Sequence, residues 1–422
     1  MISRILKIMI FFTVAAHSSL TAKVGADLTV WGLIDGNAFR NYEAIQDQVV
    51  QPSFTLYYFR PFNNVAFRLY YTGTGTAFKN FPQRRFLYQT GGMNGSYSSD
   101  ESRFSFYWGA ELDFRDNEPA YAYYEYHQNS TYFNMKADWH EMTATYGGLS
   151  TLSRKYKLLP QFDFREISGF LRQNIYLPTR TTVMGSVTLG RKRFVETVLS
   201  DKAVDEVADV TDPEDSRGGN GRGNGQGNGQ GNGYGRGGTI AAIPVPTAEI
   251  ESVYASMQGK SVTRMQLSLR LAQSLTEQTG LAVEVSQNRS LSGQGRYLSY
   301  QDGGYEENDL LFDDPYNYDF ESIFLELTQI LPFSVQLKTG WQGWDKRYYY
   351  PAFDMEGNPV YDENRSDQKQ SVWIQLSRVF PKIYLFQSTR IFLSYTGFKN
   401  LSNDPFYTYS GYVAMFGWQI QI

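Results

Sequence analysis

The stretch "SVTRMQLSLRLAQSL", Ser261 to Leu275, sets Met265, Leu267, Leu269 and Leu271 against Arg264, Gln266, Ser268 and Arg270 in strict alternation. A period of two places successive side chains on opposite faces of a β-strand, whereas a helix would scatter the same residues around its circumference. One face is therefore oil and the other carries arginine. Such a wall fits a soluble sandwich with its oil inward, or a membrane barrel with its oil toward lipid and its charge in a wet lumen. The surrounding chain has to decide between them.

The pattern recurs. "GLAVEVSQNR" sets Leu281, Val283 and Val285 against Glu284, Ser286 and Asn288, and "FSVQLKTGWQGW", "TTVMGSVTLGRK" and "SVWIQLSR" read the same way. Strands of about ten residues at roughly 3.3 Å each, tilted near 40°, rise about 25 Å, the height of an outer-membrane apolar band. Short joints around Pro61, Pro178, Pro332 and Pro381 alternate with longer polar segments, Gly73 to Glu101, Ser150 to Pro160, Glu196 to Lys260, Leu291 to Asn317 and Pro351 to Asp367. Proline fixes φ and cannot donate to a ladder, which suits a tight joint between antiparallel neighbours. Tight turns at one rim and long loops at the other are a barrel's signature. The expectation is an all-β antiparallel transmembrane barrel of about 16 strands, with 14 also compatible, both termini lying at the short-turn rim.

Composition bounds the rest. The 422 residues carry 39 Lys and Arg against 43 Asp and Glu, a formal net charge of -4, and no cysteine. With no basic cluster there is no electrostatic footprint for nucleic acid, and with no thiol there is neither a disulfide framework nor a thiolate metal site. "MISRILKIMIFFTVAAHSSLTAKVGA" opens with Arg4 and Lys7, continues through an apolar core and ends in small residues, the layout of a secretory signal peptide cut after Ala22 or Ala26. The division expected is a signal at 1–26 and one barrel domain at 27–422, interrupted by a disordered Gly/Asn-rich insertion at about 197–259. Glycine that dense loses too much backbone entropy on ordering, and it brings no apolar surface in return.

The last strand, "FYTYSGYVAMFGWQIQI", places Tyr412, Ala414, Phe416, Trp418, Ile420 and Ile422 on one face. Here the chain resembles bacterial outer-membrane β-barrel proteins of the porin type, whose final strand carries alternating apolar residues to the terminus. The resemblance implies a Gram-negative outer-membrane location, among outer-membrane lipid and lipopolysaccharide. It also implies an assembly signal at Phe416, Trp418, Ile420 and Ile422 that the barrel-insertion machinery reads. That signal usually ends in an aromatic residue, and here Ile422 stands in its place. Trp139, Tyr176, Phe333, Trp344, Phe380, Tyr384 and Trp418 near strand ends suit the aromatic girdles of such a barrel.

Chemistry is sparse. His127 and His140 are the histidines beyond the leader, and their sequence neighbours point to opposite faces of a strand, so neither makes a nucleophile-and-base pair and no enzyme is expected. No cofactor is expected either. The acidic segment "DGGYEENDLLFDDPYNYDFE" offers Asp309, Asp313 and Asp314 as weak Ca²⁺ ligands, but EF-hand spacing is absent and a solvated loop accounts for the charge. Arg264, Arg270, Lys192, Lys338 and Arg390, with Glu284 and Glu326, fall on polar strand faces and are the lumen-facing candidates for selecting solutes. Their mixed signs fit weak selectivity or mutual pairing in a plugged lumen. The function expected is passive passage of small hydrophilic solutes; the alternative is a non-conducting barrel that binds or adheres through its outer loops.

Overall fold

In the computed structural model of the chain, described for residues 22–99, 102–195, 261–293, 295–296, 310–355, 358–383 and 386–422, sixteen antiparallel strands pair in sequence order. In chain order they are β1 Lys23–Asp35, β2 Asp47–Phe62, β3 Val65–Phe78, β4 Phe86–Tyr97, β5 Phe104–Asn117, β6 Tyr126–His140, β7 Thr143–Tyr156 and β8 Phe164–Leu177. The second half holds β9 Thr181–Phe194, β10 Ser261–Ser274, β11 Thr279–Ser292, β12 Tyr318–Leu331, β13 Val335–Phe353, β14 Pro359–Ile383, β15 Phe386–Ser402 and β16 Tyr409–Gln421. β1 pairs with β16, Asp27 opposite Gln421 and Asp35 opposite Val413, so the sheet closes on itself. Closure removes both edges, the one β-architecture in which every backbone donor and acceptor of the wall finds a partner without water.

Register carries one face round the whole barrel. Leu269 of β10 stands opposite Gly185 of β9 and Val285 of β11, and Val285 opposite Ile323 of β12. These positions are the exposed ones: Leu149, Leu171, Leu189, Leu269, Val285, Ile323, Val372, Leu393 and Phe416 all present their side chains to the surroundings. The alternate positions are polar and turn inward. Ser186 bonds Ser268 at 2.7 Å and Ser286 bonds Ser322 at 2.7 Å, one continuous hydroxyl row across β9 to β12. An apolar surface wrapped round a closed barrel is far larger than a water-soluble monomer leaves uncovered, so this belt is the lipid-facing surface of a membrane barrel. Oil is outward, and the stretch around Leu269 reads as a membrane wall rather than a sandwich.

The rims differ. β2–β3, β6–β7, β8–β9, β10–β11 and β12–β13 are joined by two to four residues each, and Asn63, Arg180, Phe333 and Ser334 adopt positive φ in those joints. Both ends of the described chain lie at this rim, where Ile422 N donates to Ala26 O at 2.8 Å. β1 starts at Lys23, so cleavage after Ala22 would leave it whole and cleavage after Ala26 would remove its first four residues. The 197–259 insertion lies outside the described residues.

Three of the segments read as long loops are largely strand. Gly73 to Glu101 contains the end of β3 and all of β4, Ser150 to Pro160 the second half of β7, and Pro351 to Asp367 the ends of β13 and β14. β4 puts Gln89, Gly91 and Gly95 on its outward face, so oil and polarity fail to alternate there although its hydrogen bonding is regular. The ends of β13 and β14 extend past the apolar belt, where no lipid imposes an oily face. Among the residues expected in the girdles, Trp139, Phe333 and Trp418 are exposed, but Trp344 turns inward, with Lys346 Nζ 4.7 Å from its ring. Tyr384 lies outside the described residues.

Candidate functional site

The site is the lumen and its loop-side mouth. Sixteen strands enclose more space than side chains of the wall can fill, so such a barrel carries either water or folded-in loops. This one has both a polar wall and a bar across it.

Four of the seven lumen candidates converge low on the β10–β13 wall. Arg270 Nη1 lies 3.1 Å from Glu284 Oε2 and its Nη2 lies 3.8 Å from Glu326 Oε1, while Lys338 Nζ reaches Glu326 at 3.3 Å. All four side chains stay partly exposed to the lumen, which is the condition in which such pairs contribute little stability. Arg390 of β15 is apart from them, its guanidinium 5.8 Å from the Phe392 ring. Arg264 sits at the loop end of β10, 4.7 Å from the Tyr316 ring. Lys192 faces inward too, but it is buried under the bar.

That bar is the segment Leu310 to Asn317 between β11 and β12. Asp313 accepts from Lys346 of β13 at 2.7 Å, and Asp314 accepts from Lys192 of β9 at 2.7 Å with the two side chains only 1% and 3% exposed. Tyr316 donates to Glu166 of β8 at 2.8 Å and packs across Gly190, where a side chain would meet the phenol. Burial, with Glu166 beside it, pushes the Tyr316 hydroxyl far above its ordinary pKa and keeps it a donor. Asn288 ties the same segment down by donating to the Pro315 and Tyr318 carbonyls at 3.0 Å each.

The segment reaches across the barrel. Phe312 packs on Tyr124, ring centroids 5.7 Å apart, and Tyr124 belongs to the β5–β6 connection. β5 and β13 are eight places apart in a ring of sixteen, opposite walls. Leu311 and Phe312 join Tyr123, Tyr124, Leu158, Leu159, Phe162 and Tyr407 in one buried cluster drawn from four connections. Oil that the outer wall cannot hide is here buried among loops, and aromatic pairs add to that burial.

A second buried unit flanks the mouth. Arg365 of β14 pairs with Asp367, donates to Tyr350 Oη at 3.2 Å and lies between Tyr348 and Tyr407, 4.3 and 3.2 Å from their ring centres. Asp404 accepts from the Phe353 and Phe406 amides at 3.2 and 3.1 Å. Burial raises its pKa, opposed by the Arg365 charge.

Asp313 and Asp314 are thus each held by a lysine, and Asp309 lies outside the described residues. Among the described residues no group of three His, Asp or Glu side chains is placed to hold a metal ion. The inward arginines Arg68 and Arg172 were not singled out in the sequence. Arg68 rests 4.4 Å from the Tyr57 ring and Arg172 4.2 Å from the Tyr146 ring, and the buried Nε of each has no hydrogen-bond partner among the described residues. Even positions on two alternating strands would have revealed them. The bar and its aromatic cluster had a signal too, since "YAYY", "LLF" and "PFY" are too oily for loops that simply lie in water.

No protein-family model and no curated protein sequence matches the chain. Solved barrels resemble it only in outline. Pseudomonas aeruginosa OccK5 (OpdH) is 9% identical over 95% of this chain and 98% of that one, with a TM-score of 0.47. Acinetobacter baumannii OccAB1 is 9% identical over 95% and 96%, TM-score 0.48, and Pseudomonas aeruginosa OccK8 (OprE) 9% over 95% and 98%, TM-score 0.46. At that distance no residue of theirs can be assigned to a residue here.

Proposed function

We propose that the chain is a bacterial outer-membrane channel of the porin type, passing small hydrophilic solutes passively through a lumen narrowed at its loop-side mouth by the Leu310–Asn317 bar. The observation that carries this reading is the pairing of a closed barrel with inward arginines, Arg68, Arg172 and Arg390, that have no carboxylate at ion-pairing distance among the described residues. Asp27 lies within coulombic reach of Arg68 without pairing to it. A guanidinium left in a dry plug without a counter-charge costs several kcal/mol, so these three require water beside them. A solute path is the simplest source of that water. β16, with Phe416 and Trp418 exposed on its outer face and Ile422 at its end, would serve as the strand recognised during insertion.

The primary test is single-channel conductance of the refolded mature chain in a planar bilayer. Discrete, stable steps are expected; a folded barrel that inserts and stays silent would sink the reading. Each lumen charge shifts a passing ion by about 0.5–1 kcal/mol at water-like screening. The variant Arg68→Gln/Arg172→Gln/Arg390→Gln should therefore lower the anion-to-cation permeability ratio several-fold, read as a reversal-potential shift in a salt gradient. An unchanged potential would remove these arginines from the path.

The wall gives an independent check. Leu269→Arg puts a charge in the lipid belt and should cost about 2–4 kcal/mol at mid-depth. Its neighbour Ser268→Arg points into water and should insert normally with a smaller conductance. Equal behaviour of the two in a membrane-insertion assay would contradict the assignment of faces.

A further inference from the structure

The outward face is not uniformly oily. At the loop-side end of β6 to β9 it carries His127, Lys155, Arg165, Arg191 and Arg193, all exposed. Arg165 stands directly opposite Arg193 across the β8–β9 ladder, and Ile167 opposite Arg191. Directly opposed side chains have Cβ atoms about 5 Å apart and like charges there repel. Residues two apart on one strand lie about 6.6 Å apart on the same face. Three guanidinium groups thus form a triangle on a shallow outer groove of about 400 Å³, lined also by Asn129, Ser153, Glu166 and Ile167.

Among the described residues no carboxylate lies within 4.0 Å of Lys155, Arg165, Arg191 or Arg193, and Glu166 beneath them accepts instead from Tyr316 on the inner side. Further round the barrel, on β11 to β13, the same rim is built differently. There outward Arg289 has Asp319 at 3.1 Å and also pairs with Glu321, and outward Arg347 has Asp345 at 3.8 Å. The outward arginines of β11 and β13 are thus paired with carboxylates, whereas those of the triangle are not. The triangle also sits immediately above the belt, since Ile167, Leu149, Leu189 and Leu171 continue the same outer face and are 55%, 62%, 50% and 55% exposed.

A ligand that suits both features has anionic oxygens for the guanidinium forks and hydrocarbon to lie along the belt. We propose that Arg165, Arg191 and Arg193, with Lys155 beside them, form a binding site for the phosphorylated headgroup of an outer-leaflet glycolipid whose acyl chains cover Ile167 and Leu189. The proposal rests on the outer-membrane reading above. It goes beyond that reading by assigning the lipid a fixed place on the barrel.

The test uses the refolded full-length mature chain in detergent and native mass spectrometry. Its arms are diphosphoryl lipid A, the same lipid with its phosphates removed, and inorganic phosphate. The unaltered protein should retain diphosphoryl lipid A in preference to the dephosphorylated form, and a large excess of inorganic phosphate should not displace it. Arg165→Gln/Arg191→Gln/Arg193→Gln should weaken retention about ten-fold or more, the worth of one or two charge-assisted hydrogen bonds. Arg289→Gln, on the balanced wall, should leave it unchanged. A triple variant that keeps the preference, an unaltered protein that shows none, or displacement by inorganic phosphate would each overturn the proposal. Heat-modifiable gel mobility establishes that the variants are folded. Conductance of the triple variant keeps the two readings separate, because a channel that conducts yet binds no lipid A defeats only the lipid site.

Discussion

Asp314→Asn is expected to open the mouth. The substitution removes the charge that Lys192 faces at 2.7 Å, in a place where both side chains are almost wholly buried. Breaking a buried pair from one side costs about 3–5 kcal/mol, because the remaining ion keeps its desolvation cost and loses its partner. The barrel wall does not depend on that pair: β9 is laddered to β8 and β10 along its whole length. The cost therefore falls on the docking of Leu310–Asn317, and undocking is the cheapest way for Lys192 to regain water. The expected readout is a larger unit conductance with more open-state flicker, and barrel mobility on gels that stays normal. Asp313→Asn, which removes the carboxylate that Lys346 donates to, should act in the same direction. Replacing both partners by apolar groups, Lys192→Met with Asp314→Leu, should restore the small conductance, since a buried pair exchanged for packed hydrocarbon is often neutral. If all of these conduct like the unaltered chain, the segment does not bar the path.

How far the sequence revealed this arrangement differs by region, for physical reasons. β10, β11 and β12 were plain, because lipid on one side and water on the other force Leu267, Leu269, Val285 and Ile323 to alternate with polar residues. The same forcing placed Arg270, Glu284, Glu326 and Lys338 on the inner face, and direct opposition of Arg270 and Glu284 made them neighbours. β4 was lost because its outward glycines carry no hydropathy signal, and the ends of β13 and β14 because they stand clear of the membrane. Asp313 and Asp314 read as solvated charge because their lysines lie 33 and 122 residues away, a separation that no local pattern encodes. Lys192 faces inward, and its burial depends on a loop from another part of the chain. Sequence periodicity, in short, reports the solvent on each side of the wall; it is silent on what folds back inside.

The second large effect is expected at Arg365. Arg365→Ala leaves Asp367, itself 2% exposed, without its counter-charge, and strips the cation from between the Tyr348 and Tyr407 rings. The expected loss is about 3–5 kcal/mol in the local stability of the mouth. It should appear as faster hydrogen exchange at the Phe353, Phe406 and Tyr407 amides, which pair with Asp404 and its turn. The loss has a pH signature. Asp404 is already raised by burial against the opposing charge of Arg365, so removing that charge raises it further. A carboxyl whose folded pKa lies above its unfolded value supports the fold below the unfolded pKa and loses that support as pH rises through the folded one. The Arg365→Ala variant should therefore be nearest to normal in acid and worst at neutral pH, while the unaltered chain changes less over the same range. Arg365→Leu combined with Asp367→Leu should cost less than Arg365→Ala alone, since no stranded charge remains. A single variant as well protected as the unaltered chain at neutral pH would mean that packing among Tyr348, Tyr350 and Tyr407, and not the buried charge, holds this side of the mouth.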